Sequence, residues 1–110
     1  MHTVIYQGSM KAKVYFCTES DSIGVIVRAQ KISSQALDTI YELVWECEFK
    51  NILNAGRIWL KFREQERPFG IPLRQRRSHR RRISPGDIIQ VANDFYIVGE
   101  VGARQIELID

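Results

Sequence analysis

No stretch of this chain approaches the roughly 18 consecutive apolar residues that cross a bilayer. The first eight residues, Met1-His2-Thr3-Val4-Ile5-Tyr6-Gln7-Gly8, lack the basic-then-apolar order of a secretory signal. The expectation is an intact cytoplasmic protein that does not enter the membrane. Ligand pairs for a metal are missing as well: Cys17 and Cys47 are 30 residues apart, and His2 and His79 are isolated. Without a secretory signal, both cysteines are expected to behave as small hydrophobes in a reducing compartment rather than as a disulfide. There is no glycine-rich phosphate loop, no nucleophile elbow and no paired carboxylate on a rigid scaffold, so no cofactor is expected.

Outside one stretch, positive charge is also scarce. The formal net charge is +3, yet Arg74-Gln75-Arg76-Arg77-Ser78-His79-Arg80-Arg81-Arg82 alone holds six arginines, which leaves 3 − 6 = −3 for everything else. Residues 1–73 carry 9 basic and 8 acidic side chains, and residues 83–110 carry 1 basic and 5 acidic. A field concentrated on one segment of an otherwise electronegative chain suits an anionic polymer. The choice of arginine throughout adds to this, because a guanidinium forms bidentate bonds with phosphate and guanine and stacks on bases.

At 110 residues the chain is expected to form a single domain, burying roughly 65% of the surface its unfolded form exposes. Residues 3–7 and 12–17 are β-branched and aromatic and predict two strands, with Lys13, Tyr15 and Cys17 facing one way and Val14 and Phe16 the other. The apolar run Ile23-Gly24-Val25-Ile26-Val27 predicts a third, central strand. From a serine cap at Ser33 or Ser34, the spacing of Leu37, Ile40, Tyr41, Val44, Cys47 and Ile52 predicts one main helix over 34–53, closed by Asn54-Ala55-Gly56. Arg57–Phe62 alternates and predicts a strand with Ile58, Leu60 and Phe62 inward and Trp59 outward beside Arg57 and Lys61.

Pro68, Gly70 and Pro72 then predict an arginine-rich, mobile loop at about 63–82. Ser84-Pro85-Gly86-Asp87 has the order of a type II turn, and residues 87–98 predict a hairpin reversing at Asn93-Asp94. Residues 104–109 predict the last strand. The fold class is α+β: a curved antiparallel sheet or partly open barrel with one main helix packed on it. An exposed strand edge could pair two copies into a homodimer.

Three partners are compatible with the arginine segment. One is nucleic acid, RNA or DNA, bound without catalysis through Arg74, Arg76, Arg77, Arg80, Arg81 and Arg82, with Lys61 adding charge and Trp59 a stacking surface for unpaired bases. A second is an acidic protein surface, which would make the chain an accessory or inhibitory module. The third is solvent alone. His79 is the one group in the segment that could move a proton near neutral pH, but a ribonuclease needs a fixed second partner that nothing nearby supplies.

Two resemblances attach to the last thirty or so residues. Arg82-Ile83-Ser84-Pro85-Gly86-Asp87-Ile88-Ile89, followed by Phe95-Tyr96-Ile97-Val98 and Gly102, resembles the Arg-Ser-Leu-Ser-x-Gly-Asp-x-Ile motif and tyrosine-containing strand of the small YodL-like proteins of plasmids and phages. Here Ile83 replaces the Ser-Leu pair and the arginine run is additional. That resemblance implies an accessory role on a mobile element. The Gly-Asp-x-Ile strand start is also similar to that of the ASCH and PUA-like group of small RNA-binding β-barrels, although their helix-borne glycine and lysine signature is missing.

Overall fold

The computed structural model describes residues 10–19, 23–49, 55–64, 71–75 and 82–109. In chain order these form β1 (Met10–Cys17), α1 (Ile23–Ile26), β2 (Lys31–Ser33), α2 (Ser34–Thr39), β3 (Tyr41–Phe49), α3 (Ala55–Glu64), β4 (Ile71–Gln75), β5 (Ile88–Val91), β6 (Asp94–Val98) and β7 (Ala103–Ile109). The strands build one curled mixed sheet in the order β2-β7-β6-β5-β1-β3-β4. Every pairing is antiparallel except that of β2 with β7, and the α+β class expected from the sequence is what the chain adopts. The strand expected at 3–7 lies outside the described residues.

Side-chain alternation gives the sheet two apolar faces, each covered by helix. Ala12, Val14 and Phe16 of β1 join Ile89, Val91 and Val98 under α3. Tyr15 and Cys17 point the other way and meet Tyr41, Ile88, Phe95, Ile97 and Ile106, with α1 and α2 over them. The alternation expected for β1 is therefore present. So is the hairpin of β5 and β6, although Val91 pairs with Asp94, which puts its turn at Ala92-Asn93, one residue earlier than the sequence suggests. Ala92 takes φ 54 there, a left-handed value that favours glycine.

Three expected elements are corrected. The helix from Ser34 begins as expected, with the Ser33 hydroxyl accepting from the Ala36 amide at 3.0 Å, but it ends at Thr39. Residues 41–49 are instead strand β3, paired with β1 so that Lys13 meets Glu46 and Lys11 meets Glu48. Glu42 and Glu46 would crowd one another at a four-residue step on a helix, whereas in the sheet Glu46 and Glu48 each lie opposite a lysine, which is favourable. Lys13 Nζ lies 3.6 Å from Glu46 Oε2. A bulge where Val14 and Tyr15 oppose Trp45 and Leu43 leaves Val44 as the extra residue, and Val44 and Trp45 both enter the core under α3.

Residues 55–64, expected to hold a strand, form helix α3. Ala55, Ile58, Trp59 and Phe62 follow helical spacing and are all buried, whereas Leu60, expected inward, is 47% exposed. The run 23–27, expected as a central strand, is the single turn α1 with Val25 78% exposed. β4 also occupies part of the stretch expected to be loop, as an edge strand that tolerates Pro72.

Candidate nucleic-acid interface

The arginine segment leaves the sheet at one defined place and returns at another. It leaves through β4, whose register sets Arg74 opposite Glu46, and Glu46 in turn lies opposite Lys13. Arg74 therefore holds the register position next in line after Lys13 of β1 and Glu46 of β3. It returns at Ile83, whose side chain is buried in the core under α3 and whose amide donates to the Phe62 carbonyl at 3.5 Å. That bond closes one of the carbonyls a helix leaves unsatisfied at its C-terminus. Arg76, Arg77, His79, Arg80 and Arg81 lie outside the described residues.

The turn that follows is tightly held by hydrogen bonds. Gly86 has φ 93 and the Asp87 amide donates to the Ser84 carbonyl at 3.1 Å, as a type II turn requires. Asp87 is 0% exposed. One of its carboxylate oxygens accepts from the Cys17 amide at 2.8 Å and the other from the Ser84 amide at 2.7 Å. The Gly86 amide donates to the Val98 carbonyl and the Val98 amide to the Asp87 carbonyl, both at 2.8 Å. The Tyr41 hydroxyl donates to the Gly86 carbonyl at 2.6 Å. Burial first, and then the neighbouring Cys17 and Asp87, hold that hydroxyl's pKa well above its ordinary value of 10. The Gly-Asp pair thus ties β1, β3 and β6 to the end of the arginine segment.

Arg82 stands exposed just before this turn. Because Ile83 is bonded to Phe62, Arg82 and Arg63 are the chain neighbours of the two bonded residues and flank the same hydrogen bond. The Arg63 guanidinium lies 5.2 Å from the centroid of the Trp59 ring, a cation–π contact that holds it at the surface. No ion pair among the described residues engages Arg63 or Arg82. Lys61 lies on α3, one helical turn after Arg57.

Trp59 requires a correction. It is 8% exposed, packed in the core and covered by Arg63, so it offers no free face to a base. Sequence reasoning also missed Arg63. Reading residues 57–62 as a strand ended the regular element just before it, whereas the stripe 55, 58, 59 and 62 carries the helix through it. Elsewhere, Arg104, the sole basic residue after position 82, is committed to the fold: its guanidinium donates to the carbonyls of Val27 and Ala29 at 2.8 and 2.9 Å.

No family model matches this chain, and neither a curated protein nor a solved structure matches it. Among the described residues no helix is long and apolar enough to cross a membrane.

Proposed function

We propose that the protein is a non-catalytic nucleic-acid-binding protein whose arginine segment 74–82 clamps the phosphate backbone. The observation that carries this is the charge partition: six guanidinium groups in nine residues on a chain whose remainder sums to −3. Support comes from the exposure of Arg82, which no described carboxylate pairs, and from Arg63 held beside the segment's return point. A polymer with a charge every few ångströms along its backbone engages such a surface at many points, whereas a small anion would engage one or two.

The test is to replace all six arginines of the segment with alanine and measure affinity for RNA and DNA by fluorescence anisotropy. The expected result is loss of binding with the thermal melting profile retained, because Asp87, Gly86 and Ile83 are untouched. Unchanged affinity would overturn the proposal. An acidic protein partner predicts a different result, a captured protein that survives nuclease treatment of the lysate.

A further inference from the structure

At the other end of the sheet order from β4, the strands β6, β7 and β2 leave a pocket with a chemistry of its own. β6 begins at Asp94, just after the hairpin reverses at Ala92-Asn93, whereas β7 runs on to Ile109 with β2 as its partner. Between the hairpin tip and the end of β7 lies an open pocket of about 700 Å³. That volume suits a small organic molecule, and the lining mixes the apolar and polar surface such a site needs. Phe95, 7% exposed, and Leu108, 36% exposed, supply the apolar part. Asn93 and Gln105 bring side-chain amides, and Asp94 and Glu107 bring carboxylates.

The two carboxylates are set face to face. Phe95 pairs with Ile106, so the next pair toward the hairpin tip is Asp94 with Glu107, on one face of the sheet. Glu107 is fixed there because its amide donates to the Gln30 carbonyl at 3.0 Å. Like charges directly opposite one another destabilise a sheet. Lys31 is the ladder partner of Glu107 on β2, yet no ion pair among the described residues engages Lys31, Asp94 or Glu107. A bound cation would relieve that pair.

We infer that this pocket binds a small guanidino compound, with Asp94 and Glu107 as its charge partners and Phe95 and Leu108 against its apolar stem. A planar guanidinium carries five donors on a rigid fork, so it can bond two carboxylates and an amide oxygen together, which suits it better than a compact ammonium. The inference does not depend on the function proposed above, because the pocket is built from other strands and takes a ligand of the opposite charge.

Amide proton–nitrogen NMR spectra of the full chain, titrated with N-acetylarginine amide, test this. Saturable shifts are expected at the amides of residues 93–95 and 105–108. The neutral isostere N-acetylcitrulline amide is expected to bind about tenfold more weakly, and N-acetyllysine amide several-fold more weakly. Glu107→Gln changes an exposed side chain and is expected to weaken the arginine compound about fivefold, with a melting curve to report any loss of fold. Absence of saturable shifts at those amides, or equal affinity for the citrulline compound, would overturn the site, and both readouts use the unaltered protein. Unchanged affinity in a folded Glu107→Gln would remove that carboxylate from it. Equal affinity for the lysine compound would overturn the guanidino assignment.

Discussion

Asp87 illustrates how one side chain can organise a fold. A fully buried carboxylate is expensive to desolvate, and here two backbone amides from distant parts of the chain compensate for it. Asp87→Ala leaves both amides without an acceptor and is expected to destabilise the protein by about 3 kcal/mol in chemical denaturation. Ala92 is the opposite case. Its φ of 54 places a Cβ where glycine carries no penalty, so Ala92→Gly is expected to raise stability by about 1 kcal/mol. The Tyr41 hydroxyl predicts a pH effect. Its pKa is raised in the folded state, so the unfolded chain ionises first on the alkaline side. Stability from this group is fully present below about pH 10 and is lost as pH rises toward the folded value. Tyr15 is shifted in the same direction by burial and adds to that slope. Denaturation midpoints measured between pH 8 and 11 should fall, and Tyr41→Phe should flatten the decline.

At the level of elements, the strands carrying a clean period of two were legible and the ambiguous apolar runs were not. β1, β5, β6 and β7 alternate, or are bounded by turn residues, and lie close to where the sequence puts them. Tyr41–Phe49 satisfies both periods. Its Tyr41 and Val44 fit a helical stripe, but Trp45-Glu46-Cys47-Glu48-Phe49 alternates strictly, and the lysines at 11 and 13 that decide in favour of a strand are distant in sequence. Residues 55–64 mislead in the other direction, because Ile58 and Phe62 fit both patterns while Trp59 and Leu60 separate them. The two geometries predict opposite mutational costs. With α3 in place, Trp59→Ala should cost about 3 kcal/mol or more and Leu60→Ala no more than about 0.5, as read from urea midpoints. A large loss at Leu60 with tolerance at Trp59 would restore the strand. The same error hid Arg63, because its place in the candidate interface depends on α3 continuing past Phe62. Arg82 was legible because charge density needs no fold to be seen.

For the whole molecule, the fold divides the labour between its ends. The C-terminal strands supply acidic side chains and a single arginine that is spent on holding the connection between α1 and β2 against β7. The β4 edge and the end of α3 carry the two ends of the basic segment, whose return point the Pro-Gly-Asp turn fixes. Under the proposed function, this partition of charge would steer an anionic polymer toward the basic segment. The most direct test of this account is the salt dependence of duplex binding by the unaltered protein. With all six arginines of the segment on phosphates, log K should fall with log salt at a slope approaching about −5. A slope near zero, at an affinity that is nonetheless measurable, would contradict the account, because binding without counterion release cannot come from those guanidinium groups.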